Sequence, residues 1–206
     1  MNNLNLRIIS SLVLFIVTGL SLYVGGMFVH SVIFLFLVLS IKEIASINGY
    51  CTFPSFLIKI GFVIYVSSAF LALSFLYEKH GPWSIVWLIL LISANDTGAY
   101  FVGKKIQGPK LSPRISPGKT WSGLVGGLLL GSCAAYFSAS FFIPIRMNFL
   151  LCVILSLSGH LGDLLESAFK RYYGIKDSGK LIPGHGGVLD RMDSLLMASL
   201  WAMMFL

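Results

Sequence analysis

Between Asp163 and Asp193 the sequence places five acids, Asp163, Glu166, Asp177, Asp190 and Asp193, and five bases, Lys170, Arg171, Lys176, Lys180 and Arg191. They interleave with the run Pro183-Gly184-His185-Gly186-Gly187. Carboxylates hold hard cations through oxygen, and Lys and Arg neutralise phosphate. Glycines let backbone N–H groups approach phosphate oxygens closely. The combination suits a polyphosphate carried with a metal ion, whereas a solvated loop needs no such pattern.

The elements that position these groups are mostly hydrocarbon. Of 206 residues, 56% are hydrophobic and 11% charged, with a mean hydropathy of +0.86, which is too apolar for a soluble domain of this size. The chain reads as an integral membrane protein of all-α class. Its net charge of +7 comes from bases that flank apolar runs, which favours anionic lipid and phosphate as partners and argues against nucleic acid. Cys51, Cys133 and Cys152 form no CxxC pair and read as packing residues.

Apolar runs long enough for membrane helices lie at 7–24, 27–47, 55–77, 82–103, 121–143, 148–170 and 190–206. The first has no small-x-small cleavage site after it and reads as a retained helix. With the N-terminus inside, thirteen Lys and Arg residues fall on the inner side and two, Lys79 and Arg146, outside. That asymmetry predicts a seven-span bundle with N-in, C-out topology. Residues 1–80 then form N-terminal scaffold helices and 81–206 a catalytic region with cytosolic loops at 104–120 and 171–189. Residues 48–56 read as a turn.

Other polar residues are placed to join the site. Glu43, closing the second span, either pairs with a lysine or faces the site, the structural role being favoured. Asp96, preceded by Asn95, sits at membrane depth, where an ionisable group costs roughly 2.5–3.5 kcal/mol and so marks function. Tyr100 and Lys104 share its helical face. Asp163, Glu166, Ser167 and Lys170 fall on one face of the sixth span, which must line a polar cavity. His160, one turn deeper, reads as a satisfied buried histidine. Asp190 and Asp193 begin the last span; a capping role suffices for Asp193, whereas Asp190 beside the Gly-Gly loop suits metal. Gly118-Lys119-Thr120 looks like the end of a P-loop, but Pro113 stands where its first glycine belongs and no apolar strand precedes it. Gly123, Gly127 and Gly131 suit close packing within the bundle more than a dimer seam.

The charged stretch resembles the signature of the phosphatidate cytidylyltransferase family. The matching residues are Ser167, Phe169, Lys170, Arg171, Lys176, Asp177, Gly179, Ile182, Pro183, His185, Gly186, Gly187, Asp190, Arg191 and Asp193. Asp96 to Tyr100 and Ser112-Pro113 to Pro117-Gly118-Lys119-Thr120-Trp121 resemble the same family. The likeness covers residues 93–206 well, and the N-terminal spans match in character only; relatives usually carry further N-terminal helices.

The resemblance implies transfer of a cytidylyl group from CTP to phosphatidate, giving CDP-diacylglycerol and pyrophosphate at the cytosolic face of the cell membrane. It implies Mg2+, with a second metal or a monovalent cation as a further candidate, and a homodimer as one way to replace the missing scaffold. Asp163 and Asp190 are then the expected metal ligands, with Asp193, Asp177 and Asp96 in support. Lys170, Arg171, Lys176 and Lys180 would neutralise the triphosphate, and the His185-Gly186-Gly187 backbone would hold its oxygens. Ser167, Lys119 and Arg191 complete the expected substrate contacts. The phosphate monoester of phosphatidate is largely a dianion at neutral pH, so no general base is needed and His185 should orient the loop or bind phosphate. A transporter is the rival from another class, but its polar residues should spread through the membrane depth rather than cluster at one end. A sister cytidylyltransferase acting on an isoprenoid-derived lipid phosphate would share the same machinery.

Overall fold

A computed structural model of the chain describes residues 3–47, 52–143 and 147–206. Cys51, Arg146 and the first part of the expected 48–56 turn lie outside the described residues. Among the described residues seven α-helices form: α1 Asn3–Val24, α2 Met27–Ser46, α3 Phe53–His80, α4 Pro82–Ile106, α5 Trp121–Phe142, α6 Phe149–Tyr172 and α7 Leu189–Phe205. Each apolar run of the sequence becomes one helix. The first six are long and apolar enough to cross a membrane. The expected seventh span forms a helix of 17 residues, about 25 Å long against roughly 30 Å of hydrocarbon.

Local chemistry sets the ends. Proline stands in the first turn of α3 and of α4, where its missing N–H would have been unpaired in any case. Thr120 N-caps α5, its side chain accepting from Gly123 N–H at 3.1 Å, and Asn148 caps α6 through Leu150 N–H at 3.0 Å.

The expected loop at 104–120 is partly ordered as a hairpin. Strands β1 Lys110–Ser112 and β2 Ser116–Thr120 pair antiparallel, Lys110 opposite Thr120 and Ser112 opposite Ser116. Trp121 N–H donates to Pro109 O at 3.1 Å and closes its base. Pro113 and Pro117 hid the strands from a reading by pattern, since proline belongs at turns and edges. This hairpin is the one departure from helix among the described residues apart from loops and an isolated bridge.

The bundle closes around Phe70, Trp87, Leu88, Leu91, Leu155 and Leu196, all buried. Trp87 Nε1–H donates to Ala135 O at 2.9 Å, tying α4 to α5. Those two helices approach through glycine: a Cβ on Gly98 would lie 2.6 Å from Gly126 O, and one on Gly131 2.9 Å from Asn95 Cβ. The glycine face of α5 is therefore used inside the bundle.

Gly98→Leu should lower the thermal midpoint of the purified protein in detergent, at a cost of roughly 1–3 kcal/mol. Gly61→Leu, where no atom lies within 4 Å of the added Cβ, is the control and should not lower the midpoint. Equal midpoints for the two variants would refute the close α4–α5 contact.

Candidate active site

The single face expected on α6 is present. Ser167 Oγ donates to Asp163 Oδ1 at 3.2 Å, and Lys170 Nζ lies 3.2 Å from Glu166 Oε1, one helical turn away. Lys170 also reaches Asp190 Oδ1 at 2.6 Å on α7. Lys119, from β2, contacts Asp163 Oδ2 at 2.5 Å, so the hairpin delivers one ammonium and α6 the other. Asp96, Asp163 and Asp193 are mutual electrostatic neighbours, as are Glu166 and Asp193. Five carboxylates thus gather around two lysines.

Asp190 is the most heavily engaged of the five. Besides Lys170, it accepts from Ser178 N–H at 3.2 Å on Oδ1 and 2.9 Å on Oδ2. Oδ2 also accepts from Gly187 N–H at 2.8 Å and lies 3.1 Å from Ser178 Oγ. These bonds fold residues 178–187 back over the start of α7. His185 N–H donates to Ile182 O at 3.0 Å, with Pro183 and Gly184 between them and Gly184 at φ +77°. This is a type II turn, whose third residue must be glycine or nearly so. Gly186 at φ +88° brings the chain back beside Asp190, where a Cβ would lie 2.6 Å from Oδ2.

Two signature bases hold structure together. Arg171 donates to Ile115 O in the hairpin at 3.2 Å and to Ile175 O at 2.9 Å. Arg191 donates to His185 O at 3.2 and 3.0 Å. Lys176, Asp177 and Lys180 are exposed on the outer side of the loop. Gly187 is buried beneath it.

Contacts from α1 and α2 support the loop from the other side. Arg7 Nε–H on α1 donates to Gly184 O at 2.9 Å, and Ser10 Oγ to Pro183 O at 3.1 Å. Ser10 Oγ meets His185 Nδ1 at 2.7 Å and Ser11 Oγ meets Nε2 at 3.2 Å. Glu43, on α2, bonds Ser178, Val188 and Leu189. Contacts across 135 to 177 residues leave no local pattern to read. His160 departs from expectation in another way. It is buried, its Nε2 has no hydrogen-bond partner among the described residues, and it lines the larger cavity beside Asp163.

That cavity, about 800 Å³, is walled by α4, the hairpin, α5 and α6, and carries Lys104, Lys110 and Lys119 with Asp96 and Asp163. A second cleft of about 310 Å³ lies between α1, α2, α4 and α7. Its walls are Leu14, Phe15, Phe36, Ile89 and Leu195, with Arg191 as its cation. Asp96 lines both, so a cationic chamber and an apolar cleft share one carboxylate at their border. Among the described residues no three His, Cys, Asp or Glu side chains already surround one point as metal ligands. The donor chemistry nevertheless fits magnesium. It takes one or two protein carboxylates and completes its shell with water and substrate phosphate, and here the acids outnumber the lysines that neutralise them.

Burial, and then the Arg191 and Arg7 guanidinium groups, hold the His185 pKa below its ordinary value. The unfolded chain therefore binds this proton first as pH falls. The stability that the neutral ring contributes is present above the ordinary histidine pKa and is lost as pH drops through the folded-state value. Lowering the pH from about 7.5 to about 5 should thus depress the wild-type melting midpoint more than that of His185→Gln. Parallel curves would contradict this.

Comparison with known proteins places these features. Residues 51–206 match the model of the cytidylyltransferase family. A phosphatidate cytidylyltransferase of Staphylococcus haemolyticus is 42% identical over 138 residues, 64% of this chain and 53% of the relative. One of Staphylococcus aureus strain COL is 44% identical over 140 residues, 65% and 52% of the two chains. One of Brucella suis is 42% identical over 146 residues, 66% and 52%. The chain spans about half the length of these curated relatives. The family match takes in the hairpin, the acid-bearing face of α6, the glycine turn and α7, and the chain belongs to the cytidylyltransferase family.

Proposed function

We propose that the protein transfers the cytidylyl group of CTP to phosphatidate, releasing pyrophosphate and leaving CDP-diacylglycerol in the membrane. The observation that carries this reading is the cationic chamber meeting the apolar cleft at Asp96. A nucleoside triphosphate fits the first by charge, and a lipid tail the second by its hydrocarbon walls. Each substrate then ends at the border with a phosphate.

A phosphate oxygen of phosphatidate attacks the α-phosphorus of CTP. A new P–O bond forms as the bond to the bridging oxygen of pyrophosphate breaks. The attacking dianion has no proton to lose. His185, with both ring nitrogens against serines, orients the loop and abstracts nothing. Lys119 and the other chamber lysines offset the charge of the triphosphate, and His160 Nε2 offers it a hydrogen-bond position. Asp163 and Asp190 would hold Mg2+, in exchange for the ammonium contacts of Lys119 and Lys170 that they now make. Magnesium would supply charge stabilisation to the transferring phosphoryl group. A second cation has Asp96 and Asp193 within electrostatic reach.

The lysine and arginine asymmetry supports seven spans with the N-terminus and the site facing the cytosol of the cell membrane, where nucleotide is present. The hairpin and signature loop, linked through Arg171, and Arg7 on the loop gather at one end of the bundle, as that topology requires.

Purified protein given labelled CTP, phosphatidate and Mg2+ should form a labelled lipid, and chelation should stop it. Label appearing only with a polyprenyl phosphate acceptor would assign the sister activity, and none with either acceptor would refute cytidylyl transfer. Asp163→Asn should fold and lose at least about a hundredfold in rate. Near-normal turnover would remove Asp163 from the centre.

For topology, a cysteine replacing Lys180 should react with an impermeant thiol reagent from the cytosolic side only. Labelling on intact cells would overturn the orientation.

A further inference from the structure

Glu43 stands upstream of the residues that match the family and is 2% exposed. Its Oε1 accepts from Val188 N–H at 2.8 Å, and its Oε2 from Leu189 N–H at 3.0 Å and Ser178 Oγ at 2.9 Å. The N–H groups at a helix start have no intrahelical acceptor. The residue in the N-cap position of α7 is Val188, which has no side chain able to cap. A side chain from α2 takes over that office. Ser178 Oγ also lies 3.1 Å from Asp190 Oδ2, so a continuous chain of polar contacts runs Glu43, Ser178, Asp190, Lys170.

Glu43 also explains two glycines of the signature. A Cβ on Gly179 would lie 2.9 Å from Glu43 Oε1, and one on Gly187 would overlap both Glu43 Oε2 and Ser178 Oγ. Both ends of the loop are thus closed down upon one glutamate. A buried acid with three donors is costly to replace, because any group that cannot accept leaves backbone N–H groups unpaired in an apolar setting.

We infer that Glu43 is a positioning residue for cytidylyl transfer: from α2 it fixes the loop 178–187 and the first turn of α7, and through Ser178 it sets where Asp190 stands. Its effect on catalysis rests on the activity proposed above; its effect on the loop does not. Glu43→Gln keeps the volume but turns an NH2 group toward a backbone N–H or the Ser178 hydroxyl. Two readouts follow in detergent, beside the melting midpoint of each variant.

Trypsin cleavage after the exposed Lys176 and Lys180 should rise about tenfold in Glu43→Gln without a matching fall in midpoint. This needs no nucleotide. The KM for CTP should rise about tenfold, since a displaced loop binds the polyphosphate poorly. Ser178→Ala, which leaves the backbone bonds to Asp190, should move both readouts in the same direction by less. The double variant should be no worse than Glu43→Gln alone. Unchanged cleavage in Glu43→Gln, or in Ser178→Ala should the first variant not fold, would overturn the inference. So would a loss of rate that follows only the loss of folded protein, with KM unchanged. A wild type without cytidylyl transfer but with the cleavage difference would remove the proposed activity and leave the positioning role standing.

Discussion

Charge in an apolar bundle must be neutralised by charge, and here Lys170 carries that burden. Its ammonium lies between Glu166, 1% exposed, and Asp190, with neither acid contact longer than 3.2 Å. Removing one member of such a buried set costs about 3–5 kcal/mol, because the others remain charged and unpaired. The lysine is therefore confined to one place, and with it the first turn of α7. The loop follows, since Asp190 bonds the N–H groups of Ser178 and Gly187.

The same carboxylates serve two ends. Those that point down, Asp190 and Glu43, accept from loop donors and give the backbone its shape. Those that point toward the chambers, Asp96 and Asp163, face cations or open space. A polar loop set on rigid helices is how precise geometry is obtained at a membrane surface, where the helices supply stiffness and the loop supplies groups. The hairpin adds Lys119 from a third direction, held in turn by Arg171.

Much of this was legible in the sequence. Period and length of the apolar runs fixed the helices, because hydrocarbon thickness leaves little choice of length. Spacing alone put Asp163, Glu166, Ser167 and Lys170 on one face. What escaped was contact across the chain. Glu43 sits in an apolar helix where a structural role, such as pairing with a lysine, is favoured over facing the site, and nothing local points to the loop it bonds. Ser10 and Ser11 are common residues in membrane helices, and nothing near them in sequence indicates His185. Arg171 reads as a phosphate ligand because arginine in a basic signature usually is one; that its guanidinium also bonds two carbonyls has no local signal. The short hairpin was concealed by its prolines, and His160 by the general rule that buried histidines are paired.

Glu43 and Asp190 hold the signature loop in one conformation before substrate arrives. Hydrogen exchange of the backbone amides of Ser178, Gly187, Val188 and Leu189 in the purified, substrate-free protein reads that hold bond by bond. These four amides should exchange at least about a hundredfold more slowly than unprotected amides. Exchange of all four at unprotected rates would contradict it.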